Sequence, residues 1–201
     1  ANAGSRTALF LRLGARVVAA DPQPSCLRTL RKRFEGNPRV IIVPKALGEK
    51  EGEAQLLVSD VSTISTLSRE WVDTAERGGR FRAYRWDKKV TVPVTTLDRL
   101  IEEYGVPAFC KIDVEGYESR VLAGLSRPIQ TISFEFVPEF LDNTLSSIGH
   151  LMKVGTSRFN YSMGESMSLA LAEWVGEEEI DGILRSITDR DAWGDVYGMQ
   201  E

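Results

Sequence analysis

Phe109-Cys110-Lys111-Ile112-Asp113-Val114-Glu115-Gly116 is the stretch on which the fold turns. From Cys110 to Val114, apolar and polar residues alternate with the period of a strand. On that period Cys110, Ile112 and Val114 face one way, and Lys111, Asp113 and Glu115 the other. A strand buried on both faces of a parallel sheet reads instead as an almost unbroken apolar run. Here three charges crowd the C-terminal end, followed by a glycine and a helical pattern. In open α/β sheets that end faces the ligand crevice. The charges therefore read either as a site or as the solvated face of an edge strand.

Moving outward, Tyr117 to Leu125 has helical spacing, and Thr131 to Pro138 reads as the next strand. Glu135 sits among its large apolar residues. A buried carboxylate needs a partner or a raised pKa, which makes Glu135 a candidate unless it faces solvent. Upstream, Thr95 or Thr96 caps a helix through Ile101. Val90 to Val94 is a strand interrupted by Pro93, which argues for an edge position. Glu53 to Val58 reads as another strand, and Ser59 to Ser68 is rich in Ser and Thr.

Ala15 to Asp21 and Val40 to Val43 read as buried strands around a helix marked by Cys26, Leu27, Leu30 and Phe34. Strand, helix and strand in that order give a parallel pair. Before them, a turn with Gly4 and Ser5 feeds a short helix to Leu13. Backbone donors at such a helix start can hold an anionic group, although an ordinary loop reads the same way. Asp21 lies seventeen positions after Gly4, a spacing at which nucleotide-binding units place an acid on ribose hydroxyls. Its plainer reading is a cap for the helix from Ser25.

The chain has 201 residues, which suits one domain, a net charge of −4 and a pI near 5.3. That balance argues against a nucleic-acid binder. The aromatic and basic stretch from Arg77 to Lys89 reads better as a cover over a site or an extended arm. Cys26 and Cys110 are isolated, so no disulfide framework or zinc cluster is indicated, and a reducing, cytoplasmic setting fits. No apolar run is long enough to span a membrane. His150, the only histidine, lies in the helical pattern from Phe140 to Val154 and reads as structural. Phe159 to Ser166 and Met167 to Trp174 read as a hairpin closing the sheet, followed by a helix from Glu177 to Ile187.

Together these segments resemble the FkbM-type family of S-adenosylmethionine-dependent methyltransferases. Ala1-Asn2-Ala3-Gly4 is similar to the second half of that family's Asp-x-Gly-Ala-Asn-x-Gly turn. Ala20-Asp21-Pro22-Gln23-Pro24 resembles its acid-Pro-x-Pro segment, Ala46-Leu47-Gly48 its turn after the third strand, and Ser62 to Ser68 its Ser/Thr-rich segment. Thr96-Leu97-Asp98 and Lys111 to Gly116 carry the resemblance furthest.

The resemblance implies an α/β class I methyltransferase (Rossmann-like) fold over residues 1–201 as a single domain. Its sheet would be mostly parallel and flanked by helices, with a C-terminal antiparallel hairpin. The first strand and half of the first glycine motif are expected to be truncated. The implied function is transfer of a methyl group from S-adenosyl-L-methionine to a hydroxyl of a small molecule, sugar or glycan. Asn2, Gly4, Asp21, Leu47 and Asp113 would bind the cofactor. Asp113, Glu115 and Glu135 would be catalytic, and Ser62, Thr63 and Ser65 would face the substrate. No metal is assigned: Asp113 and Glu135 offer hard oxygen donors, but no fuller ligand set can be read. An NAD(P)-dependent oxidoreductase on a related sheet and a non-catalytic binding protein of the same fold are the competing readings.

Overall fold

The computed structural model describes residues 1–77, 83–166, 168–189 and 191–200. Helix α1 (Ser5–Arg12) leads to β1 (Val17–Ala20), α2 (Pro24–Phe34) and β2 (Val40–Val43). The two strands are parallel, with Val17 opposite Val40 and Ala20 opposite Val43. Their β-branched sequences suit a pleated surface, and Leu27 and Leu30 of α2 are buried.

A three-stranded sheet follows. It is built from β3 (Ala46–Leu47), β4 (Gly52–Val58) and β5 (Lys88–Thr95), with α3 (Arg69–Arg77) between the last two. The edge position expected for the Pro93 strand is not what forms, because β5 is the middle strand. Proline is tolerated there because β3 pairs only with Val94 and Thr95, so Pro93 owes no hydrogen bond to that side. Gly78, Gly79 and part of the basic stretch after Arg77 lie outside the described residues.

The largest sheet runs β6 (Phe109–Ile112), β7 (Thr131–Phe136), β9 (Gly194–Met199), β8 (Arg158–Met163). Helices α4 (Leu97–Tyr104), α5 (Glu118–Leu122), α6 (Leu141–Lys153) and α7 (Glu177–Ser186) complete the order. One face of this sheet carries Ile112, Phe134 and Val196, each at most 2% exposed. Val121 and Leu122 of α5, Ile148 and Leu151 of α6, and Ile180 and Leu184 of α7 cover it. Burying each such side chain stabilises the fold by roughly 1.5–3 kcal/mol before entropy is charged. The other face is polar, with Lys111 opposite Ser133 and Ser133 opposite Tyr197.

Two expectations need correction. The sheets are mixed rather than mostly parallel: among the described residues three pairings are parallel and three antiparallel. Among the described residues, the stretch after β8 also forms no strand beside it: it returns along β8 with an isolated antiparallel bridge, Phe159 to Val175, and the Ala170 N–H donating to the Tyr161 carbonyl. Residues 168–174 form bends and irregular chain, and Met167 lies outside the described residues. Instead β9 inserts between β7 and β8 after α7. Gly194 and Gly198, on either side of Val196, leave room for close approach: a Cβ on Gly198 would sit 2.8 Å from Thr156.

Candidate functional site

The charged stretch does not stay in the strand. β6 ends at Ile112, and Asp113 to Gly116 form the turn into α5. Glu115 has φ 56° and Gly116 φ 78°, two successive residues in the left-handed region. Gly116 needs its missing side chain as well as its φ, because a Cβ would lie 2.3 Å from Cδ1 of Trp71. This turn re-aims Glu115, so the strict alternation expected through Glu115 fails while the carboxylates still converge. One oxygen each from Asp113, Glu115 and Glu135 lies within 4.8 Å of the others. Asp113 is exposed, and both glutamates are half-buried.

The surroundings set the charge of this trio. Lys111 pairs tightly with Asp195 of β9 and lies 4.0 Å from Asp113. Burial lowers the Lys111 pKa, but Asp113 and Asp195 outweigh it and hold the ammonium charged. Glu115 is pushed well above the usual carboxylate range by burial, then by Glu135, Asp113 and Glu118. Burial, Asp113 and Glu118 do the same to Glu135. Clustered like charges cannot all ionise together cheaply, so burial and mutual repulsion both favour the protonated form of the two glutamates. Hard cations take oxygen ligands of this kind, and a shared proton meets the same electrostatic need.

Behind the trio stands Glu118, which the sequence reading did not single out. It is 2% exposed; its carboxylate accepts from the Val114 N–H at 3.1 Å and from Asn143 Nδ2 at 3.1 Å. Burial raises its pKa from 4.5 to about 7. Its place at the start of the helical pattern from Tyr117, three residues after Glu115, was the available signal.

A second constellation forms at the C-terminal end of β1. Asp21 is 4% exposed; Oδ2 accepts from the Asn2 N–H at 2.7 Å and Oδ1 from the Gln23 N–H at 2.8 Å. It does not cap α2, whose N-cap is Gln23. Asn2 has φ 50°, and its side chain accepts from the Ala3 N–H. Gly4, at φ 84°, precedes α1; a Cβ there would lie 2.6 Å from Phe34 Cε2 and 2.9 Å from Leu30 Cδ2. Its lack of a side chain thus serves the packing of α1 on α2.

The Ser/Thr-rich segment joins these two places. Gln23 Nε2 donates to the Ser62 carbonyl at 2.8 Å. Ser65 Oγ accepts from the Ser59 N–H at 3.1 Å. Thr66, just beyond, donates its hydroxyl to the Glu115 carbonyl at 2.7 Å. Ser62, Thr63 and Ile64 form a single turn of 3-10 helix between these anchors. Leu47 is half-buried in β3 and packs against the main core rather than on either group. His150 Nε2 sits 2.9 Å from the Leu125 carbonyl, a structural role.

A cleft of about 150 Å³ lies on the polar face of the large sheet, lined by Arg6, Phe10, Lys111, Ser133, Asp195 and Tyr197. A larger concavity of about 590 Å³ opens at the end of α2 beside β2, around Phe34, Asn37 and Val40. None of the expected site residues lines either of them. The smaller cleft shares Lys111 and Asp195 with the surroundings of the trio and is the more informative of the two.

The sequence profile of the methyltransferase FkbM domain matches residues 1–184. No curated protein and no solved structure matches the chain.

Proposed function

The chain belongs to the FkbM methyltransferase domain family, and from that premise we propose that it transfers a methyl group from S-adenosyl-L-methionine to a hydroxyl oxygen. The acceptor class is a small molecule, sugar or glycan. We read the chain as one domain of class I methyltransferase type, working in the cytoplasm as its free thiols Cys26 and Cys110 suggest.

The observation that carries the proposal is the carboxyl trio of Asp113, Glu115 and Glu135. A hydroxyl becomes a better nucleophile as its proton leaves, and a carboxylate with a raised pKa accepts that proton near neutral pH. An ionised member of the trio takes the hydroxyl proton while Lys111 and Asp195 hold the local charge. Asp113, the exposed member, meets the acceptor first.

Asp21, at the C-terminal end of β1, supports the donor reading. Its Oδ1 takes one N–H, leaving a lone pair for a ribose hydroxyl. Asn2 and Gly4 would lie against the amino-acid part, Leu47 near the adenine, and Ser62, Thr63 and Ser65 on the acceptor side. When bound, the sulfonium supplies an activated methyl group. The chain's part is to orient the acceptor for in-line attack, exclude water and remove a proton. We assign no resident metal.

The test is incubation with methyl-labelled S-adenosylmethionine and a panel of hydroxylated acceptors, reading the label by NMR. Label on oxygen supports the proposal. Label on nitrogen or carbon overturns the oxygen assignment. Nicotinamide dinucleotide binding without S-adenosylmethionine binding would favour an oxidoreductase. Donor binding without transfer across the panel would favour a non-catalytic protein.

A further inference from the structure

We propose that Thr66 is a positioning residue that holds Glu115 in its left-handed conformation and so keeps the Glu115 carboxylate beside Asp113 and Glu135. The inference rests on the reading of the trio as the proton-handling site. A non-glycine residue at positive φ costs on the order of 1–2 kcal/mol, so neighbours must hold it there.

Those neighbours come from one segment. Thr66 is 1% exposed, and its backbone exchanges both hydrogen bonds with Leu57, at 2.8 and 3.1 Å. That bridge fixes where its hydroxyl points. The hydroxyl donates to the Glu115 carbonyl at 2.7 Å, with the Val114 carbonyl farther away at 3.3 Å, and accepts from the Ser68 N–H at 2.9 Å. Ser68 Oγ in turn accepts from the Trp71 N–H at 3.0 Å in the first turn of α3. Trp71 packs on the bare Cα of Gly116. Two consecutive residues of the turn are therefore held by one short run of chain, by a hydrogen bond at Glu115 and by an indole at Gly116.

The Cα–Cβ direction of Glu115 follows from this arrangement. Rotating the residue to negative φ would swing the carboxylate away from the groups around it. Those are Asp113 on the same turn, Glu118 on α5, Glu135 on β7 and Lys111 on β6, with Asp195 on β9 and Arg6 on α1 beyond them. Thr66 touches no reacting atom in this scheme; it acts through Glu115.

The experiment follows the side-chain carboxyl carbon of Glu115 by 13C NMR across pH, with neither donor nor acceptor present, so an absence of methyl transfer leaves its outcome unaffected. Wild-type protein and Thr66→Ser, which keeps the hydroxyl, should show the same elevated midpoint. Thr66→Val should move it by at least about one pH unit toward the ordinary value near 4.3, with the rest of the amide spectrum retained. Should Thr66→Val not fold, Trp71→Phe should move the midpoint in the same direction. A folded Thr66→Val or Trp71→Phe protein with the wild-type Glu115 midpoint overturns the proposal. So does a Thr66→Ser protein that behaves like Thr66→Val.

Discussion

The Gln23 side-chain amide donates to the Ser62 carbonyl at 2.8 Å while the Gln23 backbone N–H donates to Asp21. One residue thus ties the acid at the end of β1 to the Ser/Thr-rich segment, whose far end reaches Glu115 through Thr66. Gln23→Leu keeps the size and removes the link. A hydrogen bond of this kind contributes about 1 kcal/mol, so the Kd for S-adenosylmethionine should rise about fivefold. Isothermal titration checks it; an unchanged Kd would show that the link does not serve the donor site.

Gly4→Ala tests whether the first glycine turn is built for packing. The added carbon meets Phe34 and Leu30 at under 3 Å, and the residue must also hold φ 84°. Overpacking and the left-handed penalty together should cost about 2–4 kcal/mol, visible as a lower Tm. Adding Phe34→Leu should restore part of that loss. If Gly4→Ala leaves Tm unchanged, the glycine is not needed for the α1–α2 contact.

Glu118 should make stability depend on pH in an unusual direction for a carboxylate. Its folded pKa, about 7, lies above the unfolded value near 4.5. Between those values the folded state holds the proton and the unfolded state does not, so stability falls as pH rises through that window. At about 1.36 kcal/mol per unit the full effect is about 3–4 kcal/mol, an upper bound. Glu118→Gln keeps an acceptor for the Val114 N–H and cannot ionise. Chemical denaturation at pH 5 and pH 8 should show wild type losing more stability than the variant; equal losses would place the titration elsewhere.

Much of the frame was legible because local signals and tertiary packing agree. Val40 to Val43 forms the strand that its apolar run indicated, and Thr96 caps α4 by accepting from the Arg99 N–H. Asp113 and Glu115 were flagged as charges at a strand end and Glu135 as an acid among apolar residues, while their meeting within 4.8 Å comes from the structure. The partner of β8 was not legible, because which strand pairs with which is decided by long-range packing, and β9 arrives only after α7. The middle position of β5 was hidden by Pro93, whose meaning depends on how far β3 extends. The roles of Thr66, Gln23 and Glu118 were not legible because each acts through contacts across 25 or more residues or through burial, which periodicity does not encode.

Asp113→Ala should separate chemistry from folding. The Asp113 side chain is 53% exposed, and its nearest cation is 4.0 Å away. Removal should change stability by no more than about 0.5 kcal/mol. Turnover should fall about a hundredfold or more if the carboxylate handles the proton. Chelation with EDTA should leave wild-type turnover unchanged; a loss restored by Mg²⁺ would assign the trio to a cation instead. A lower Tm with normal turnover in Asp113→Ala would make the residue structural.

The central claim is that this chain binds S-adenosylmethionine through the acid at the end of β1, and calorimetric titration of that compound tests it most directly. Saturable one-to-one binding is expected, and Asp21→Ala should abolish it, with Asp113→Ala retaining much of it. A folded wild-type protein that gives no binding heat, or an Asp21→Ala protein that binds as wild type does, would contradict the account.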